Sequence, residues 1–370
     1  MIPINLPKIG EEEIQAVEKV LRSGILTSGL GAGPVVTEFE KGFAKFCDAK
    51  HAIAVNTGTA ALHAAVMAVG AEHGDEVILP SFTFVATAEA IALVGAKPVF
   101  ADIDPQTYTL SPSAVEKAVT KNTKAILPVD LYGFSADMKP LREIANKHSL
   151  SLLEDAAQAH GATYGGKSVG SFSDAACWSM YASKNIMTGE GGVVTTDNDQ
   201  IDETLRMIRT HGEKAKYASL ILGTNYRMPE IQAAIGNVQL QRLPTFMAKR
   251  RQNAQKLTKI LQKTSRLILP SESNDRLHSW YLYTARLKDA TEGMRDRLVA
   301  ELKKKGVGSE VYYINPVHEM PFYRENYGSA KLPETEKASK QVFSLPIHPG
   351  VTEGQVEFIG NTVLNLLQSA

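Results

Sequence analysis

The chain has 370 residues, 44% of them hydrophobic and 22% charged, and its 40 basic and 40 acidic side chains cancel to a formal net charge of +0. This composition fits a globular chain of roughly two domains, and without a Lys/Arg block it argues against nucleic acid as a partner. Polar residues interrupt every apolar run well before the roughly 18 residues of a membrane helix, and the start M-I-P-I-N-L-P-K-I-G-E-E-E has no basic or apolar leader region, so a cytoplasmic protein without a membrane partner is expected.

In chain order, the spacing of Ile14, Val17, Val20 and Leu21 predicts a helix over 11–23, and that of Val36, Phe39, Phe43 and Phe46 a second over 34–46. Strands are expected at H-A-I-A-V, E-V-I-L-P, K-P-V-F-A-D-I, K-A-I-L-P-V and S-L-L-E-D, with helix-length segments between them. Ser111 before Pro112 reads as an N-cap followed by a proline at the first helical position, and Asp137 opens a helix to about His148. Such alternation predicts a mostly parallel sheet covered on both faces. After about 245 the pattern changes to a long charged helix, the run Y-L-Y-T-A-R-L, an amphipathic helix over 292–305, the run V-G-S-E-V-Y-Y and a last helix over 353–367. The expected division is a large domain, 1–245, and a smaller α+β domain, 246–370. Cys47 and Cys177 form no C-x-x-C, so no disulfide framework or metal site is expected, and both read as small buried apolar side chains.

Chemistry concentrates in two places. N-T-G-T-A-A-L-H at 56–63 leaves a strand and enters a helix, which aims free amides at an anion: Gly58 lets the chain turn close to an oxygen, while the Thr59 hydroxyl and the Thr59 and Ala60 amides supply donors. A plain capped helix would look much the same. Downstream, Asp155 ends the strand S-L-L-E-D and Lys184 follows in W-S-M-Y-A-S-K-N-I. An amine that forms an imine and a carboxylate that keeps a pyridine nitrogen protonated are the two groups a pyridoxal phosphate enzyme requires. The anion turn and Asp155 both lie at carboxyl ends of strands, where open α/β sheets bind ligands. A nicotinamide-dependent Rossmann enzyme is disfavoured, because G-E-G-G at 189–192 precedes a strand instead of joining strand to helix.

Seven ordered motifs carry a resemblance: V-N-T-G-T-A-A-L-H, E-V-I-L-P-S-F-T-F-V-A-T, E-D-A-A-Q-A-H-G-A, W-S-M-Y-A-S-K-N, G-E-G-G-V-V-T-T, R-T-H-G-E and G-T-N-Y-R-M-P-E-I-Q-A-A. Together they resemble the DegT/DnrJ/EryC1/StrS family of PLP-dependent sugar aminotransferases. The resemblance implies the fold type I α/β architecture, with a seven-stranded, mostly parallel sheet, a small C-terminal domain and a homodimer with shared active sites. It implies pyridoxal 5'-phosphate, aminated to PMP midway, as cofactor. Lys184 would hold that cofactor and then serve as base, both of which need an uncharged amine, against an ordinary lysine pKa of about 10.4. Asp155 would pair with the ring nitrogen, Gln158 with the phenolic oxygen and Ser179 with the phosphate, and Phe84 would stack on the ring. Glu154, one residue back, points to the opposite face. Phe82 competes with Phe84, since two residues apart on an extended segment share a face. Asn225 would reach the phosphate in the neighbouring subunit; by itself it reads as a turn asparagine before a helix opened by Pro229.

The resemblance has departures. Asp130 stands where many relatives carry His, Trp178 where Phe is usual, and the loop at 27–34 is a few residues longer than the usual turn. Lys184 is kept where the family's sugar 3-dehydratases have His, which favours transamination. The expected activity moves an amino group from an amino acid, L-glutamate above all, to a keto group of a nucleotide-linked deoxysugar, for aminosugar and polysaccharide biosynthesis. Arg227, Lys214 or Lys216 could meet the acidic groups of these substrates. Tyr313 and His318 are candidate substrate contacts, with a surface or core role as the equal alternative. A regulatory or sensor protein that binds the cofactor without turnover is the second reading. Whether C3 or C4 of the sugar is aminated is not legible.

Overall fold

A computed structural model of the protein describes residues 1–29 and 31–368, so Leu30 of the 27–34 loop lies outside the described residues. In chain order its main elements are α1 (Glu11–Ser23), α2 (Pro34–Cys47), β1 (His51–Val55), α3 (Gly58–Ala68), β2 (Glu76–Pro80), α4 (Ala86–Leu93), β3 (Lys97–Ala101), α5 (Pro112–Ala118), β4 (Thr123–Ile126), α6 (Met138–His148), β5 (Ser151–Asp155), β6 (Ala175–Ser179), β7 (Gly192–Thr196) and α7 (Asp199–Arg209). They are followed by α8 (Glu230–Leu261), β8 (Leu267–Ile268), β9 (Tyr283–Leu287), α9 (Met294–Lys304), α10 (Pro321–Tyr327), α11 (Pro333–Gln341), β10 (Val342–Leu345) and α12 (Glu353–Gln368).

The seven strands β1 to β7 form one sheet in the order β1-β7-β6-β5-β4-β2-β3. Strands β6, β5, β4, β2 and β3 run parallel, and β7 lies antiparallel between β1 and β6. This is the expected α/β sheet of fold type I, and its alternating side chains explain why it is layered. On β6, Ala175 and Cys177 join the apolar core formed with α3, α4 and α7, whereas Ala176 and Trp178 join the core under α2 and α8. Leu153 faces the first of these layers and Leu152 the opposite one, against α5 and α6. Glu154 and Asp155 inherit the same alternation, so the two adjacent carboxylates point to opposite faces of the sheet.

The second unit has its own core, built from α8, α9, α12 and the antiparallel strands β8-β9-β10. Chain connectivity blurs the division at 245/246, because α8 runs unbroken from Glu230 to Leu261 with Pro244 inside it. Its first half packs under the large sheet, where Ala233 and Leu243 are buried, and its second half supplies Ala254, Leu257 and Leu261 to the small core. The N-terminus also reaches the small unit, through the parallel bridge of Ile2 with Val307.

Both cysteines are free and buried, and burial pushes each thiol well above its usual pKa. Trp178, fully buried, packs edge-on against Phe43 and donates its indole N–H to the Thr195 hydroxyl at 2.9 Å, a core role remote from the ligand-facing side of β6. Asp130 is likewise fully buried, and one of its oxygens accepts the Ala136 amide at 2.8 Å, closing the turn after β4. Burial, together with the neighbouring Glu154 carboxyl, pushes the Asp130 pKa well up.

Candidate active site

The carboxyl ends of β1, β2, β5 and β6 surround one cavity of about 630 Å³. Thr57, Gly58, Thr59, Phe84, Thr87, Asp155, Gln158, Ser179 and Lys184 line it from the large domain, and Tyr281, Tyr312 and Tyr313 close it from the other side.

At the end of β1, Thr57 is the N-cap of α3 and its hydroxyl oxygen accepts the Ala60 amide at 3.0 Å. The Ala61 amide goes to the Thr57 carbonyl at 3.1 Å. Of the donors expected to meet an anion, Ala60 is thus used by the cap, and it does not line the cavity. The Gly58 and Thr59 amides donate to no protein group among the described residues, so a helix N-terminus with two open N–H groups faces the cavity. Gly58 is required by close approach: a Cβ there would stand 2.8 Å from the Ser179 Cβ. Gly192, in the G-E-G-G run that reads as a turn, has a second role, because a Cβ on it would collide with the Thr57 carbonyl. The Ser179 hydroxyl accepts the Tyr181 amide at 3.3 Å, leaving its proton for a ligand.

Asp155 ends β5 and is 5% exposed. Its Oδ2 accepts the Thr87 hydroxyl at 2.8 Å and its Oδ1 the Ala157 amide at 3.1 Å. Burial pushes its pKa up, while the Thr87 hydroxyl, the Ala157 amide and the Lys184 charge act in the opposite sense. The orientation of the Gln158 amide is unambiguous. Its Oε1 accepts the Tyr132 backbone N–H at 2.8 Å, so the NH₂ group must face the cavity, where it donates to the Tyr313 hydroxyl at 3.1 Å. Burial pushes the Tyr313 phenol far above its usual pKa and keeps it protonated.

Phe84 and Phe82 separate cleanly. Phe84 is 56% exposed at the cavity, its ring centroid 6.2 Å from that of Tyr313, whereas Phe82 is fully buried among Tyr108, Tyr132 and Tyr313. The segment after β2 is bent at 81–83, and although both rings pack against Tyr313, only Phe84 is left exposed to the cavity.

Lys184 lies in the loop between β6 and β7, its amide donating to the Tyr181 carbonyl at 2.9 Å. The Asn5 side chain donates to the Ser183 carbonyl, Ser183 hydrogen-bonds the Tyr281 hydroxyl at 3.0 Å, and Asn185 donates to the Ser279 carbonyl at 3.1 Å. So held, the Lys184 amine sits 4.7 Å from the centroid of the Tyr281 ring. Among the described residues it is the one basic side chain lining the cavity.

The remaining candidates lie elsewhere. His318 is buried against Ser81, 2.6 Å from its hydroxyl, with its Nε2 3.8 Å from Glu336, and it borders a separate pocket with Glu319 and Arg324, away from the cavity. Arg227 bridges β1 through its backbone and Asn225 is exposed, and neither lines the cavity of its own chain. Lys214 pairs with Glu203, and Lys216 lies over the Tyr217 ring. Thr87, Tyr281 and Tyr312 are lining residues that the sequence reading missed. Thr87 left one signal, a hydroxyl four residues after Thr83 at the start of an alanine-rich helix.

The donor set fits pyridoxal phosphate. Open amides and hydroxyls at α3 suit a phosphate, Asp155 suits a ring N–H, the Gln158 N–H suits a phenolic oxygen, Phe84 offers an aromatic face, and Lys184 offers the amine. Comparisons with known proteins agree. A "Pleiotropic regulatory protein" of Geobacillus stearothermophilus is 42% identical over 352 residues, covering 94% of this chain and 92% of that protein. The GDP-perosamine synthase of Caulobacter vibrioides is 38% identical over 362 residues, covering 96% and 95%. The crystal structure of DesV from S. venezuelae, in complex with a ketimine intermediate, superposes with a TM-score of 0.90 at 38% identity, covering 96% of this chain and 94% of that one. The sequence model of the DegT/DnrJ/EryC1/StrS aminotransferase family matches residues 7–364, and the chain therefore belongs to that family of PLP-dependent sugar aminotransferases.

Proposed function

We propose that the protein transfers the amino group of L-glutamate to a keto group of a nucleotide-linked deoxysugar, in the cytoplasm, as a step in making an aminosugar for a polysaccharide or related product. The observation that carries this reading is the convergence of Lys184, Asp155, Gln158 and the α3 N-terminus on one cavity of about 630 Å³, roomy enough for a cofactor and a sugar together. When bound, pyridoxal phosphate supplies the carbonyl that takes up the amino group and the ring that withdraws electrons from the substrate carbon. The α3 amides, Thr59 and Ser179 hold its phosphate, Asp155 keeps its ring nitrogen protonated, and Gln158 donates to its phenolic oxygen. Lys184 Nζ holds it covalently at rest. Once released, the same nitrogen would carry the proton between the substrate carbon that bears the amino group and C4′ of the cofactor, in one direction with the amino donor and in the other with the ketosugar. Tyr281 and Tyr313 wall off one side of the site and limit water there.

The test is to load the protein with pyridoxamine phosphate and offer a panel of nucleotide-linked 3- and 4-ketosugars. Regeneration of the pyridoxal absorbance by one member identifies the acceptor, and silence across the panel, with glutamate also failing to aminate the pyridoxal form, sinks the reading. The regulatory name of one relative favours a second reading, binding without turnover. It predicts that same silence with normal cofactor affinity.

A homodimer with shared sites belongs to this proposal. With Lys184 as the one cation lining the cavity among the described residues, Asn225 and Arg227 would serve the neighbour's site. Asn225→Ala should be impaired at limiting cofactor, since a hydrogen bond to a charged group is worth roughly 1.5 to 3 kcal/mol. Subunit exchange between Lys184→Ala and Asn225→Ala chains should then restore activity, with up to half the sites of a mixed dimer intact. A mixture no more active than the sum of its parents removes Asn225 from the shared site.

A further inference from the structure

We propose that Thr87, backed by Thr83, is a positioning residue that holds Asp155 as an oriented carboxylate. Thr87 is fully buried near the start of α4, and three acceptors lie within reach of its hydroxyl: Asp155 Oδ2 at 2.8 Å, Thr83 Oγ1 at 2.9 Å and the Phe84 carbonyl at 3.1 Å. An ionised carboxylate is the strongest of the three. With the equally sequestered Thr83 hydroxyl donating to the Thr87 oxygen, the Thr87 proton is directed to Asp155, and the two hydroxyls polarise each other in the same sense. The Ala157 amide takes the other carboxylate oxygen, at 3.1 Å. Donors on both oxygens stop rotation about the Cβ–Cγ bond and leave the remaining lone pairs facing the cavity.

This arrangement matters because a sequestered carboxyl favours its neutral form, which cannot serve as the anionic partner of a protonated ring nitrogen. Lys184 also favours the anion, but Lys184 is a reactant and its charge is no constant support. The hydroxyl pair is constant. The other titratable groups around Asp155 are Cys177 on β6, Asp130 after β4 and Tyr313 from across the cavity. All of them stay in place when only the Thr87 hydroxyl is removed.

The inference rests on the pyridoxal phosphate site proposed above, and its test needs no sugar. Apoprotein is titrated with pyridoxal phosphate across pH, with binding read by protein fluorescence, for wild type, Thr87→Val and Thr87→Ser. Removing a donor to the anion raises the Asp155 pKa, so the pH at which affinity falls on acidification should move up by about one to two units in Thr87→Val. Thr87→Ser should restore the wild-type limb. An affinity loss equal at every pH, with the limb unmoved, overturns the proposal and leaves Thr87 a packing residue. Should Thr87→Val fail to fold by circular dichroism, Thr83→Val must show a smaller shift in the same direction, and an unmoved limb there is equally fatal. A wild-type protein that binds pyridoxal phosphate but aminates no ketosugar defeats the proposed function and leaves this result standing.

Discussion

Lys184→Ala should lower turnover by at least roughly two to four orders of magnitude, the range attributed to general base catalysis alone, with the lost covalent step adding to it. Cofactor binding should survive, because the α3 amides, Ser179, Asp155, Gln158 and Phe84 are untouched. The expectation follows from the absence of a substitute: among the described residues no other lysine or arginine lines the cavity. Borohydride treatment of the wild type should leave the cofactor covalently attached to the Lys184 Nζ, which peptide mapping reads directly. An adduct on a different lysine, or near wild-type turnover by Lys184→Ala, refutes the assignment.

Much of the fold was legible because buried strands and amphipathic helices leave local signals. The strands at 51–55, 76–80 and 151–155 and the helix at 11–23 coincide with their apolar runs. Reading by periodicity failed where the chain bends within a few residues. The rule that residues two apart share a face put Phe82 with Phe84, but the chain bends at 81–83 and buries Phe82 while Phe84 stays exposed to the cavity. The boundary expected near 245 falls inside α8, where one helix passes from the large core to the small one; a helix can change its packing partners without changing its own structure. At the α3 N-terminus the capped-helix alternative holds for one of the expected donors. Thr57 is a typical N-cap residue, and its hydroxyl takes the amide three residues on, which is why Ala60 has no donor to offer.

The site was legible to the extent that its chemistry is local. Asp155 at a strand end, Gly58 at a helix start and Lys184 downstream could be picked out by residue type and position. Tyr281 could not, since nothing in S-W-Y-L-Y announces that one ring will lie 4.7 Å from the Lys184 amine. That contact exists only after the segment preceding β9 folds back over the large domain. The Gln158 orientation is equally tertiary, fixed by a backbone N–H of Tyr132, 26 residues away in sequence.

Asp155→Asn separates ring electronics from simple binding. The substitution preserves shape and can keep the Thr87 donor on its amide oxygen, but it removes the negative charge and places an NH₂ group at the second oxygen's position. That position now meets the Ala157 amide, so either a donor faces a donor there or the new carboxamide turns over and loses the Thr87 bond. Either way the ring nitrogen loses the partner that favours its protonated form. A charge-assisted hydrogen bond is worth roughly 1.5 to 3 kcal/mol, so the rate should fall by at least about one to two orders of magnitude. Affinity should fall less, because the phosphate contacts at α3 and Ser179 and the stack on Phe84 remain. The measurement compares kcat with the cofactor dissociation constant in the same variant. Equal losses in both would make Asp155 a binding residue only. A rate that falls well beyond the affinity places its role in keeping the ring an electron acceptor, the one task for which a carboxylate at the end of β5 cannot be exchanged for its amide.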